Sequence, residues 1–148
     1  MKLLAYEVDK RSFLGVLNED ETWVYPVSAA GMEYRSMKDL IREAGPSEME
    51  MLDYISKKAP GDVMGAAPVD EIRVVSPIAE PDQDIICLGI NYMDHAEESA
   101  RFEKRAFEKP EKAIYFSKRV NRTNDPDGII PAHKNLTNQL DYEAELAV

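Results

Sequence analysis

The 148-residue chain is 44% hydrophobic and 31% charged, values of a folded globular protein and too apolar for a disordered one. Its formal net charge of −10 leaves no broad cationic face for phosphate, so no nucleic-acid partner is expected. No apolar run reaches the roughly 18–20 residues of a membrane span, and the start turns acidic at Glu7 too soon for a secretory signal. Cys87 is the lone cysteine, which excludes an internal disulfide and makes a reducing cytoplasm the expected compartment.

The length suits one domain, or a small domain with part of another. Residues 3–8, 12–17 and 22–27 read as three short strands, separated by polar turns at Asp9-Lys10-Arg11 and Asn18-Glu19-Asp20. Ser36 is the expected N-cap of a helix over Met37–Glu43, which Gly45-Pro46 closes. Ser47 and Glu50 form a capping-box pattern for a second helix running to about Lys58, with Met51, Leu52, Tyr54 and Ile55 as its apolar stripe. Residues 59–70, rich in Pro, Gly and Ala, read as a linker. Ile72–Val75, Ile85–Ile90 and Ala113–Ser117 then read as strands, the first two buried, with Cys87 as an inert interior thiol. The basic cluster Lys118-Arg119-Val120-Asn121-Arg122 reads as a solvated loop. Asp125-Pro126-Asp127-Gly128 has the residues of a type I turn, and Ile129-Ile130-Pro131 should open a short strand.

Two stretches hold chemistry-bearing residues. In Asp141-Tyr142-Glu143-Ala144-Glu145-Leu146-Ala147-Val148, strand alternation would put Asp141, Glu143 and Glu145 on one face. Neighbouring carboxylates on that face would stand about 7 Å apart. Poorly solvated, each pair would repel by roughly 2 kcal/mol at an effective dielectric near 20. Either water or a hard, oxygen-seeking cation such as Mg²⁺, Mn²⁺ or Ca²⁺ must offset that. In the second stretch, Gly89-Ile90-Asn91-Tyr92-Met93-Asp94-His95-Ala96-Glu97-Glu98, an apolar strand runs through a glycine into a helix start that Asn91 or Asp94 could cap. Helical spacing sets His95 and Glu98 one turn apart, either as a surface hydrogen bond or as an acid–base pair. Glu97 and Arg101 read as a helix ion pair at i,i+4.

Taken together, the stretches resemble the fumarylacetoacetate hydrolase family. The resemblance runs from Val75-Ser76-Pro77 through Ile86-Cys87-Leu88-Gly89-Ile90-Asn91-Tyr92, Asp94-His95 and Glu98 to Ile114-Tyr115-Phe116-Ser117-Lys118. It continues at Asp127-Gly128-Ile129-Ile130-Pro131 and ends on Leu140–Val148. It implies an α+β chain: a small N-terminal α+β domain over residues 1–70, then over 71–148 the first part of a mixed β-roll catalytic domain. It further implies Mg²⁺ or Mn²⁺, with Ca²⁺ as the alternative, held by Glu143 and Glu145 and a later acidic residue. His95 and Glu98 match a catalytic dyad on a short mobile helix, with Asn91, Tyr92 and Lys118 lining the substrate. Arg119 stands where a proline commonly follows this lysine.

The activity so implied is hydrolysis, C–C cleavage, decarboxylation or isomerisation of a small 2-oxo or 2,4-dioxo acid through a metal-stabilised enolate. A homodimer is expected for the full-length protein. A third ligand and a catalytic lysine would lie downstream, and the chain stops inside an apolar segment. It is therefore expected to be a fragment, inactive alone; the alternative is a non-catalytic remnant serving dimerisation or partner binding.

Overall fold

A computed structural model describes residues 1–89, 91–102 and 112–147, without the side chains of His95, Glu98, Ser99 and Phe102. β1 (Leu3–Val8) and β2 (Arg11–Leu17) form an antiparallel hairpin in which Val8 faces Arg11. Its two-residue turn puts Asp9 and Lys10 at φ 50° and 65°. Positive φ at both positions is what a type I′ turn requires, so the turn matches the right-handed strand twist. β3 (Trp23–Pro26) pairs with β2 across a loop gathered by Asn18, whose side-chain oxygen accepts from the Thr22 and Trp23 amides at 3.0 and 2.9 Å. Gly15 is required where these strands meet, because a Cβ there would lie 2.8 Å from the Tyr6 ring and collide with Val24.

α1 (Met37–Glu43) has the predicted bounds, and the Ser36 hydroxyl accepts from the Asp39 amide at 3.1 Å. α2 (Pro46–Ser56) starts one step before the expected capping box. Pro46 occupies the first turn, where its fixed φ suits a helix and no amide is needed. Only the return half of a box is made, the Glu48 carboxylate accepting from the Gly45 amide at 3.1 Å, since glycine has no side chain to supply the other half; Ser47 and Glu50 do not form the expected box. Of the expected stripe only Leu52 and Ile55 are buried, while Met51 and Tyr54 face outward. The core joins Val16, Tyr25 and Val27 from the sheet side to Met37, Leu40, Leu52, Ile55 and Val63. Tyr25 is fully buried and its hydroxyl donates to the Lys58 carbonyl at 2.8 Å, which fastens the end of α2 to the sheet.

Residues 59–70 are not a free linker. Val63 is in the core, and the short strand β4 (Ala67–Pro68) pairs with β3. β5 (Arg73–Val75) joins the same sheet on its other side, giving the antiparallel order β4-β3-β2-β1-β5. Beyond it, β6 (Ile85–Gly89) and β7 (Ile114–Lys118) form a separate two-stranded sheet, with Cys87 opposite Phe116. Ile90, expected at the end of β6, lies outside the described residues.

The apolar run of β6 is not buried as expected: Ile86 is 68% exposed, and Tyr115 on β7, opposite Leu88, is equally so. A pair of strands has no core of its own, and among the described residues nothing covers these side chains. Cys87 is accordingly only half-buried. The Asp125–Gly128 turn forms, with the Gly128 amide donating to the Asp125 carbonyl at 3.0 Å. Asp127 at its third position has φ 59°, which excludes type I and fits type II. Ile129–Pro131 forms no strand.

Candidate active site

α3 (Met93–Phe102) follows β6 after the Asn91–Tyr92 corner. The Tyr92 carbonyl accepts the Ala96 amide at 3.0 Å, so Tyr92 itself stands at the cap position that Asn91 or Asp94 was expected to fill. Ala96 and Ala100, four residues apart on one face, are buried and seat the helix. The helical backbone puts positions 95 and 98 one turn apart, as the spacing predicts; the side chains of His95 and Glu98 lie outside the described atoms. Arg101 does not take up the expected ion pair: its Nε donates to the Glu97 main-chain carbonyl at 3.3 Å. Lys118 closes β7, exposed, with its ammonium 5.6 Å from the centre of the Phe116 ring.

The acidic stretch 141–147 is not a strand, and Val148 lies outside the described residues. Two of its amides find side-chain oxygens instead of a neighbouring strand. The Tyr142 N–H donates to the Asp141 carboxylate at 2.8 Å, and the Leu146 N–H donates to the Tyr92 hydroxyl at 3.3 Å. Without a ladder to impose alternation, Asp141, Glu143 and Glu145 are exposed along an irregular segment rather than set on one sheet face. The contact from Leu146 to Tyr92 nonetheless brings this segment to the start of α3, joining the two stretches that the sequence marked. Among the described residues no three His, Cys, Asp or Glu side chains converge as a metal cluster.

A cleft of about 490 Å³ lies elsewhere, between β1, β2, the start of α1 and the exit of β5. None of Asn91, Tyr92, Lys118, Glu143 or Glu145 lines it. Its rim holds a polar cluster that no motif marked. Asp125 accepts from the Ser76 amide and from Arg73, and these bonds hold its carboxyl below the usual carboxylate range, the Ser76 amide contributing most. Asp82 is similarly lowered, first by the Lys38 hydrogen bond at 2.8 Å and then by the Arg42 charge. Neither cluster carries a sequence signature, because each joins residues about forty to fifty positions apart.

No helix among the described residues is long and apolar enough to cross a membrane. Residues 84–148 match the fumarylacetoacetate hydrolase C-terminal family model. Over its whole length the chain is 30% identical to the oxaloacetate tautomerase YisK of Bacillus subtilis, covering 51% of that protein. It is 27% identical to an uncharacterized protein of Staphylococcus epidermidis and 26% identical to one of Staphylococcus aureus, covering 50% of each. The chain thus spans about half the length of the curated relatives it matches. His95, Glu98, Glu143 and Glu145 all lie within residues 84–148, the part of the chain that matches the fumarylacetoacetate hydrolase family.

Proposed function

We propose that this chain supplies the histidine-bearing helix and the acidic segment of a metal-dependent enzyme acting on a small 2-oxo or 2,4-dioxo acid. The observation that carries this is the Leu146–Tyr92 hydrogen bond, by which the acidic segment meets the N-terminal end of α3. The tautomerase relative favours isomerisation, which needs only proton transfer, over hydrolysis or decarboxylation. In this reading residues 1–70 are a small packing domain and residues 71–148 begin a catalytic β-roll, with β5 as the strand through which the second part joins the first sheet.

The donor set fits a hard divalent cation. Glu143 and Glu145 are exposed oxygen ligands two residues apart, with no thiol or imidazole between them, although two carboxylates need a further ligand or water to complete a shell. When bound, Mg²⁺ or Mn²⁺, with Ca²⁺ as the alternative, would supply charge stabilisation for the oxo acid. The chain's own side chains would do the rest. His95 would accept or return the substrate proton, with Glu98 one turn on orienting the imidazole and raising its proton affinity. Asn91 and Tyr92 would line the substrate at the helix start, and Lys118 would attract its carboxylate. Cytoplasmic location and a homodimer accompany this reading.

The test is turnover of a panel of oxo acids, including oxaloacetate tautomerisation and decarboxylation and acylpyruvate hydrolysis. It uses the polypeptide carrying this chain at its natural length, with Mg²⁺ or Mn²⁺ against chelator. Metal-dependent turnover of at least one substrate is expected; inactivity on all of them would sink the proposal. One observation favours a second, non-catalytic reading in dimerisation: the uncovered apolar side chains of Ile86 and Tyr115 suit a surface that association covers. Dimerisation without turnover would select it.

A further inference from the structure

A loop late in the chain is fastened to the edge of the N-terminal sheet. Asp125 Oδ1 accepts from the Ser76 amide at 2.9 Å and Oδ2 from Arg73 at 3.0 Å. Arg73, on β5, also donates to Glu7 of β1 at 2.7 Å, so the carboxylate is tied through it to a second strand. The Thr123 amide donates to the Ala79 carbonyl at 2.8 Å, and its hydroxyl donates to the Ile78 carbonyl at 3.0 Å. That hydroxyl proton being committed, the buried Ser76 hydroxyl must be the donor in its contact with Thr123 Oγ1 at 2.5 Å. No buried side-chain nitrogen or oxygen among the described residues lacks a partner, so the junction is fully satisfied.

The fastened loop is itself ordered by the turn at Asp125–Gly128 and by the Asn124 carboxamide, which donates to the Ile129 carbonyl at 3.3 Å. It lies between Lys118 at the end of β7 and the segment bearing Glu143 and Glu145. We propose that Asp125 is a positioning residue: it latches the run from Lys118 to Glu143 and Glu145 onto β5, so that the N-terminal sheet sets where the acidic pair stands. The N-terminal region is then part of the site's scaffold rather than an independent appendage. The role assigned to the pair rests on the function proposed above, whereas the latch itself does not.

The experiment compares the full chain with Asp125→Ala, Asp125→Asn and Asp53→Ala. It reads backbone hydrogen exchange over residues 119–131 and 141–147 together with Mn²⁺ affinity. Asp125→Ala should speed exchange over 119–131 on the order of tenfold, the worth of a charged hydrogen bond, and speed it over 141–147 as well. Mn²⁺ affinity should fall on the order of tenfold, as for loss of an outer-shell support. Asp125→Asn keeps an oxygen for the Ser76 amide and should recover part of both, which also keeps the test decisive if the alanine variant fails to fold. Asp53→Ala, which breaks the exposed Lys57 pair on α2, should move neither. Unchanged exchange in both Asp125 variants would overturn the latch, and faster exchange with unchanged Mn²⁺ affinity would overturn the positioning role. If the unaltered chain binds no Mn²⁺, the metal reading fails, and the exchange of 141–147 alone decides whether Asp125 positions that segment.

Discussion

Leu52→Ala and Met51→Ala are adjacent changes on α2 that the sequence pattern alone treats alike. In the structure Leu52 is 0% exposed, inside the cluster with Val16, Tyr25 and Leu40, whereas Met51 is 45% exposed. Truncating Leu52 removes three buried carbons, about 2.4 kcal/mol at roughly 0.8 kcal/mol each. The cavity left behind raises the total to about 3–5 kcal/mol. Met51→Ala trades exposed surface for a better helix former and should stay within about 0.5 kcal/mol. In urea unfolding followed by circular dichroism, the Leu52 variant should lower the midpoint by roughly 1–2 M at unchanged slope. Met51→Ala should leave the midpoint nearly where it was. Equal losses from the two variants would refute the assignment of the buried face of α2, and with it the packing of α2 on the sheet.

Three further outcomes follow from particular contacts. Lys10 at φ 65° is a side-chain-bearing residue in the second position of a type I′ turn, so Lys10→Gly should stabilise the chain by about 0.5–1 kcal/mol; a lower melting temperature would contradict that turn. Asp82 and Asp125 have carboxyls lowered in the folded state, so the unfolded chain binds more protons as pH falls below the ordinary aspartate value of about 3.9. Their contribution is fully present above that value and lost as pH drops through the lower folded one; urea midpoints should therefore fall in that window, and less so in Asp82→Asn. A midpoint that rises on acidification would show the sign to be wrong. In the polypeptide at its natural length, His95→Ala should reduce kcat on the order of 10²–10⁴-fold with metal affinity retained, and turnover unaffected by this change would remove His95 from the chemistry.

Local chemistry was legible in the sequence. The first two strands, the Ser36 cap and the bounds of α1 each depend on a few adjacent residues, and they are as expected except that Arg11 opens β2 instead of belonging to the turn. The start of α2 shifted because Pro46 competes for the first turn more strongly than Ser47 does for the cap. The exposure of Ile85–Leu88 could not be read from an apolar run, since burial depends on what covers a strand and not on its own composition. The same limit applies to 141–147, where alternation implies a strand only if another strand supplies the ladder; here Asp141 and Tyr92 oxygens take two of its amides. The Asp125 and Asp82 junctions left no trace at all, because pairings between sequence-distant residues have no period.

The central claim is that Glu143 and Glu145 hold a divalent cation beside the helix of His95. Mn²⁺ titration, read by the loss of the free-ion electron paramagnetic signal, tests it on the polypeptide at its natural length and on its Glu143→Gln and Glu145→Gln variants. The account predicts that each variant binds Mn²⁺ at least on the order of 10–100-fold more weakly, with unfolding midpoints close to that of the unaltered protein. Equal affinity in all three proteins would contradict it.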